Sequence, residues 1–159
     1  MAMKRIILHW SAGGYTVSDV DREHYHFIVD GKGVVVPGDH RVEDNLSTSD
    51  GIYAAHTRGA NAGAIGIAVA AMMGAKGPKS VGRYPITAAQ WTGFMGLLQT
   101  LKDKYGIPVT PQTILSHAEV QQTLGIRQNG KIDISFGVPG KPELQTAMAV
   151  GNYVRGLLK

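Results

Sequence analysis

Two of the six histidines in this chain lie where a metal ligand would be expected, at the ends of apolar runs. His9 follows residues 5–8, and His117 follows residues 113–116. Runs of this kind predict buried strands, and a rigid strand holds a side chain within the tolerance that a metal site needs. For either histidine alone, a half-buried ring bonded to the backbone is the more common arrangement. The pair therefore needs a further ligand before a site can be inferred.

A carboxylate and an ammonium group, Asp133 and Lys131, are separated by one residue. On an extended segment such residues share a face. The chain has no cysteine, so Asp133 is a candidate to complete a His, His, Asp zinc set with one position open for water. Lys131 would then face the oxygen that becomes negative when a carbonyl is attacked. A solvent-exposed Lys and Asp in a loop is the alternative, and spacing alone favours it.

The composition predicts one globular domain, residues 1–159, because 43% of the residues are hydrophobic and 18% are charged. The net charge of +4 is spread along the chain without a nucleic-acid-binding pattern, so no nucleic-acid partner is expected. The N-terminal apolar run is too short for a signal peptide. The longest apolar stretch, residues 65–73, is about half the length that spans a bilayer. We expect a monomer that is synthesised in the cytoplasm and does not insert into membranes.

Alternating short apolar runs and one long amphipathic segment predict an α/β fold, with a mixed central sheet flanked by helices. A capping box, Thr87 to Gln90, opens the long helix, and Gly106 and Pro108 end it. A closing helix is predicted over residues 143–158, weakened by two glycines. The predicted strands are residues 4–10, a hairpin of 26–29 and 34–36, then 66–70 and 113–116. The predicted irregular segments are residues 39–64, 76–85 and 121–142.

Several short segments, taken together and in this order, resemble the zinc-dependent N-acetylmuramoyl-L-alanine amidases. That family includes phage lysozyme-type amidases, bacterial amidases and peptidoglycan recognition proteins. The resemblance covers roughly residues 5–135. Its segments are Ile6-Ile7-Leu8-His9-Trp10-Ser11-Ala12, Tyr25-His26-Phe27-Ile28-Val29, His56 with Gly59, Asn61 and Ile65-Gly66-Ile67, Ser116-His117-Ala118-Glu119, and Lys131-Ile132-Asp133.

The resemblance implies roles for particular residues. Tyr25 matches a tyrosine that hydrogen-bonds near the attacking water, and Lys131 would stabilise the oxyanion. The Zn²⁺ ligands would be His9, His117 and Asp133. His56 and Asn61 fall in the loop that borders the substrate cleft. If the substrate is the one that the resemblance implies, Arg58 and Arg127 are candidates for contact with a stem-peptide carboxylate, although a solvated surface position is the more common arrangement for each.

This sequence departs from the family pattern at three places. Many relatives carry a glutamate general base just after the Gly-Ile strand motif, where this chain has Ala68. That difference favours the tyrosine–lysine arrangement of phage-type amidases. Glu119 is a second candidate for the base, or else a capping or supporting residue for His117. The first helix is expected to be only a turn or two long, and the segment between Glu119 and Lys131 is expected to shape the cleft differently.

The activity that the resemblance implies is hydrolysis of the amide bond between N-acetylmuramic acid and L-alanine in bacterial peptidoglycan or muropeptides. Without an export signal, a phage or prophage endolysin is the expected setting, acting on the wall after release from the cytoplasm. Two alternatives remain open at this point. One is a peptidoglycan-binding module without zinc, and the other is a cytoplasmic amidase that recycles muropeptides.

Overall fold

The computed structural model describes residues 2–159, so Met1 of the predicted 1–159 domain lies outside the described residues. Five strands form one sheet in the order β3-β2-β4-β1-β5. They are β1 (Arg5–Trp10), β2 (Phe27–Val29), β3 (Val35–Pro37), β4 (Ala64–Val69) and β5 (Ile114–Ser116). The helices are α1 (Asp19–His24), α2 (Ala88–Tyr105), α3 (His117–Leu124) and α4 (Ala147–Leu157), with a 3-10 helix at Val42–Leu46.

Strand β1 lies inside the sheet and runs parallel to both of its neighbours, β4 and β5. Strand β2 is parallel to β4, while β2 and β3 form an antiparallel hairpin. The predicted mixed sheet with flanking helices is therefore confirmed. Because β1, β4 and β5 run in the same direction, their carboxyl ends meet at one edge of the sheet.

Alternate side chains of β1 pack on opposite faces of the sheet, as the geometry of a strand requires. Ile6 and Leu8 belong to the main core with Phe94 of α2 and Val150 of α4. Ile7 belongs to a smaller cluster that includes Leu115, Val120 of α3 and Ala60. Burial on both faces explains why β1 reads as a continuous apolar run rather than an alternating one.

The long helix is confirmed with its predicted ends. Thr87 accepts a hydrogen bond from the Gln90 backbone N–H, and the Gln90 side chain accepts one from the Thr87 N–H. The Gln90 amide also donates to the carbonyls of Val29 and Ala70, at 3.0 and 2.9 Å. This buried glutamine thereby ties the start of α2 to two strands of the sheet.

Three expectations about local structure need correction. Helix α3 occupies the start of the segment predicted as irregular, because its eight residues are too few to show a helical period. Helix α4 begins after its N-cap Thr146 rather than at Glu143. Asp133 lies in a turn, not on an extended segment with Lys131. The short first helix is confirmed, since α1 has six residues.

Helices α3 and α4 are joined by a buried ion pair. Arg155 Nη2 lies 2.9 Å from Glu119 Oε2, and Glu119 is 1% exposed. Gly151 faces the same carboxylate so closely that a Cβ there would overlap the Glu119 oxygens. Gly151 is therefore required by packing, whereas a Cβ on Gly156 would meet nothing within 4 Å.

The two glycines of α4 should respond in opposite ways to alanine. Gly151→Ala forces the Glu119 carboxylate to shift and should lower the free energy of unfolding by about 1–3 kcal/mol. Gly156→Ala should raise it by up to about 1 kcal/mol, because alanine loses less backbone entropy in a helix. Urea unfolding of both variants beside the parent protein measures the two changes. Equal effects would show that contact with Glu119 does not determine the cost.

Candidate active site

The pairing of β1 with β5 brings His9 and His117 side by side. Leu8 pairs with Ser116, so the next residue of each chain segment lies at the same level of the sheet. The two rings are both buried, and their centroids are 4.7 Å apart. The adjacent parallel strands therefore place two imidazoles at one point, although the residues are far apart in sequence.

Asp133 approaches both rings. Its Oδ2 atom lies 3.4 Å from His9 Nδ1 and 3.5 Å from His117 Nδ1. One ligand atom from each of the three residues lies within 4.8 Å of the other two. Ligand atoms about 2.0–2.1 Å from a tetrahedral zinc ion lie roughly 3.4 Å apart. The separations to Asp133 match that spacing.

An unpaired buried nitrogen supports the fit of this group to a metal ion. Within residues 2–159, His9 Nδ1 is buried and makes no hydrogen bond. A buried polar atom without a partner costs about 1–3 kcal/mol, and a metal ion would satisfy it. Two imidazole nitrogens and a carboxylate oxygen form a donor set typical of catalytic zinc with one position left open.

The protonation states of the group also suit a metal. Burial lowers the pKa of His9 to about 4, and the charge of His117 acts in the same direction. Burial alone would raise the pKa of the Asp133 carboxyl. The close approach and the charges of His117 and His9 outweigh this effect and hold that pKa well below its usual range. His9 is thus neutral and Asp133 ionised at neutral pH, the states in which both bind metals.

A strained turn presents Asp133 to the two histidines. The next residue, Ile134, is buried and has a φ of 61°. A β-branched side chain is rarely found in this left-handed region, and such strain costs of order 1–3 kcal/mol. The Asp133 carbonyl accepts a hydrogen bond from the Ala118 N–H at 3.4 Å. The turn is thereby attached to the start of α3, directly after His117.

His56 lies next to His9, on the side away from Asp133. Its Nδ1 atom is 3.1 Å from His9 Nε2, and its Nε2 atom is 3.2 Å from the Ala64 carbonyl oxygen. Burial, followed by the charges of His9 and His26, holds the pKa of His56 well below its usual range. Gly66 in β4 leaves the space for this ring, since a Cβ at that position would overlap it.

A cavity of about 300 Å³ is lined by two of the candidate ligands, His117 and Asp133. The third, His9, is fully buried behind them. The Tyr25 ring lies 5.1 Å from the His9 ring between centroids. Burial, then the charges of Asp133 and Asp21, raise the pKa of the Tyr25 phenol, so it is protonated at neutral pH. Lys131 is exposed at the wall. The lining residues are Trp10, Ser11, Ala12, His24, Tyr25, Ala55, His56, His117, Lys131 and Asp133.

The predicted cleft-loop residues have different surroundings. Arg58 is exposed and lines an adjacent recess of about 290 Å³ together with Arg127 and Lys131. Asn61 is turned toward its own loop, because its Oδ1 accepts hydrogen bonds from the backbone N–H groups of His56 and Thr57, at 3.0 and 2.8 Å. The structure thus places Arg58 beside the cavity and gives Asn61 a contact that shapes the loop.

Neither of the two positions considered for a general base presents a carboxylate to the cavity. Ala68 is buried in β4 beside His9. Glu119 accepts hydrogen bonds from the Ser116 N–H at 3.0 Å and from Arg155, so it caps α3 and pairs with α4. The interpretation of Glu119 as a capping residue therefore agrees with its contacts, and Tyr25 is left as the candidate beside the cavity.

The similarity to known proteins extends over most of the chain. The sequence profile of the N-acetylmuramoyl-L-alanine amidase family matches residues 1–135. The chain belongs to this family. No curated protein matches the sequence significantly. Family membership was thus correctly predicted from the segments around the three candidate ligands.

Solved structures with the same fold include several amidases of low sequence identity. The amidase LysC from Clostridium intestinale URNW is 18% identical, with a TM-score of 0.54 over 87% of this chain and 80% of that one. The endolysin amidase LysCS from the same organism is 20% identical, with a TM-score of 0.51 over 77% and 74%. The Ph2119 endolysin from Thermus scotoductus MAT2119 bacteriophage Ph2119 is 19% identical, with a TM-score of 0.51 over 77% and 76%.

The sequence analysis missed two residues in contact with candidate ligands. Thr57 Oγ1 lies 3.3 Å from His9 Nε2. Gln128 Oε1 lies 2.6 Å from His117 Nε2, and Gln128 is 5% exposed. A glutamine in an irregular, glycine-rich segment carries no spacing signal, so only the structure identifies it.

Among residues 2–159, no helix combines the length and apolar composition needed to cross a membrane.

Purified protein should bind one zinc ion per chain through His9, His117 and Asp133. Asp133→Ala removes the carboxylate ligand and should weaken zinc binding. The buried β1–β5 core should stay intact, because Asp133 lies in a turn outside the sheet. Elemental analysis after dialysis, with circular dichroism to check folding, measures both. Stoichiometric zinc in a folded variant that lacks all three side chains would disprove the assignment.

Proposed function

We propose that this member of the amidase family hydrolyses, with bound zinc, the amide between N-acetylmuramic acid and L-alanine in peptidoglycan. The observation that carries the proposal is the convergence of His9, His117 and Asp133, with the buried His9 Nδ1 unpaired, beside an open cavity that His117 and Asp133 line. A zinc ion bound there supplies an activated water and a Lewis acid for the carbonyl.

Lys131 is proposed to stabilise the negative charge that develops on the amide oxygen. Its side chain lines the cavity together with His117 and Asp133, and it is exposed, so its ammonium can reach a substrate. An ammonium fixed near a developing oxyanion typically contributes about 10²–10³ in rate. In this proposal Lys131 binds no metal and acts on the substrate oxygen alone.

Tyr25 is proposed to orient the attacking water and to pass a proton toward the leaving amine. Because its pKa is raised, the phenol keeps its proton at neutral pH, so it acts as a hydrogen-bonding group rather than as a phenolate base. Little base strength is required when the water is already activated. The position of Tyr25 between α1 and β2, with its ring beside His9, suits this role.

The stem peptide is proposed to lie along the loop that contains His56, Arg58 and Asn61. The Arg58 guanidinium is the candidate contact for a peptide carboxylate, since it shares its recess with Arg127 and Lys131. Guanidinium groups bind carboxylates through two parallel hydrogen bonds. His56 borders both the cavity and this recess, and Asn61 supports the loop backbone.

A phage or prophage lysin, released to act on the wall, is the proposed biological setting. Two proteins that share the fold, LysCS and the Ph2119 protein, are named endolysins. A recycling amidase acting on soluble muropeptides is the second candidate, because hydrolysis of the same amide bond would serve either setting. A binding module without zinc fits less well, since all three ligand positions hold residues that bind metals.

Digestion of intact sacculi and of purified muropeptides by zinc-loaded protein should release stem peptides that begin with L-alanine and leave intact muramic acid. Mass spectrometry of both digests identifies the cleaved bond, and Asp133→Ala serves as the control that lacks a ligand. Cleavage of muropeptides alone would favour recycling. Binding to sacculi without cleavage of either substrate would leave only a binding module.

Tyr25→Phe should lower turnover by about 10²–10⁴, the usual effect of losing a proton-transfer group, with zinc content unchanged. Glu119→Gln should instead act through stability, because it weakens a buried pair with Arg155. Turnover, bound zinc and thermal unfolding are measured for both variants. Full loss of turnover in folded, zinc-loaded Glu119→Gln, with Tyr25→Phe nearly unaffected, would reverse the two roles.

A further inference from the structure

The Nε2 atom of His117, the ring nitrogen that faces away from Asp133, is connected to the cleft loop, residues 54–63, through Gln128. The Gln128 Nε2 group donates to the Arg58 carbonyl oxygen at 2.7 Å. A carbonyl oxygen can only accept, so this contact fixes the orientation of the amide and turns Oε1 toward His117. His117 Nε2, 2.6 Å from that oxygen, must then carry the proton. The Nδ1 lone pair of His117 is left free on the side of Asp133.

The outer nitrogen of His9 is connected to the same loop through His56. His56 Nε2 faces the Ala64 carbonyl oxygen at 3.2 Å and must donate to it. In a neutral ring, His56 Nδ1 is then an acceptor. It lies 3.1 Å from His9 Nε2 and 2.8 Å from the Thr57 hydroxyl, which is itself 3.3 Å from His9 Nε2. His9 Nε2 is thus the donor, and its Nδ1 lone pair is free.

We propose that the cleft loop sets the metal-binding tautomer of both ligand histidines, with Gln128 and His56 as positioning residues. Each connection runs from an imidazole N–H through one side chain to a backbone carbonyl, that of Arg58 in the loop or that of Ala64 at the start of β4. Both connections expose the same ring atom, Nδ1, to Asp133. The inference rests on the zinc site of the proposed function, but it concerns the protein before the metal binds.

Gln128 is held in place independently of the metal. Its side chain is buried, and its backbone N–H donates to Gln121 Oε1 at 2.9 Å. Both ends of its amide are used, one by His117 and one by the Arg58 carbonyl. An outer partner of this kind fixes the orientation of a ligand ring, and its loss typically lowers metal affinity about 10–100-fold.

The test compares Gln128→Leu with Gln122→Leu in full-length protein. Gln122 carries the same change on the exposed side of α3 and serves as the matched control. In metal-free protein with ¹⁵N-labelled histidine, long-range ¹H–¹⁵N spectra should show His117 protonated at Nε2 in the parent and the control. Gln128→Leu should show a mixture of tautomers, and chelator competition should show zinc affinity lowered about 10–100-fold.

A second variant separates loss of the contact from loss of the fold. Gln128→Glu keeps an acceptor for His117 and removes the donor to Arg58, so it should retain the Nε2–H tautomer and zinc affinity no weaker than the parent. A Gln128→Leu protein with parental tautomer and parental zinc affinity would overturn the inference. Failure to cleave peptidoglycan, with these tautomer and affinity differences intact, would count against the proposed function alone.

Discussion

The candidate site depends on the parallel pairing of β1 with β5. The register that joins Leu8 to Ser116 places His9 and His117 at the same level, at the carboxyl edge of the sheet. A shift of one residue would turn one of the two side chains to the opposite face, and the shared approach to Asp133 would be lost. The apolar residues before each histidine are buried and packed against α2, α3 and α4, so the register is fixed by the same contacts that form the core.

Because several imidazoles are buried together, the hydrogen bonds around them determine which nitrogen of each ring carries the proton. His9 and His56 are both buried, and their pKa values are lowered, so neither is charged at neutral pH. Neutral rings have one donor and one acceptor each. The Ala64 carbonyl accepts from His56 and the Arg58 carbonyl accepts from Gln128. In the proposed tautomers the N–H groups of His9 and His117 then face His56 and Gln128, and their Nδ1 acceptors face Asp133. The one buried nitrogen that remains unpaired, within residues 2–159, lies where a metal ion would bind.

The cleft loop contributes both to the proposed substrate recess and to the contacts around the two ligand histidines. The Arg58 side chain borders the recess proposed for the stem peptide, and the Arg58 backbone carbonyl binds Gln128, the partner of His117. The partner of His9 is His56, which belongs to the loop and is bound by the Ala64 carbonyl at the start of β4. Two asparagines stabilise the loop backbone. Asn45, in the 3-10 helix, accepts a hydrogen bond from the Ala54 N–H. Asn61, in the loop itself, accepts hydrogen bonds from the N–H groups of His56 and Thr57. In the proposed function this segment therefore serves both the substrate recess and the positioning of the metal ligands.

The sequence by itself determined the central sheet, the capped helix α2, the family and the three residues that converge as candidate ligands. These features leave local signals: apolar runs that end in histidine, a capping box, and short motifs in a fixed order. Only the tertiary structure decided how Glu119 and Gln128 are used. Both are polar residues near His117 in sequence, yet Glu119 turns inward to Arg155 while Gln128 turns to the ligand ring. That choice depends on the packing of α4 against α3 and on the distant Arg58 carbonyl, contacts that no local pattern of residues records.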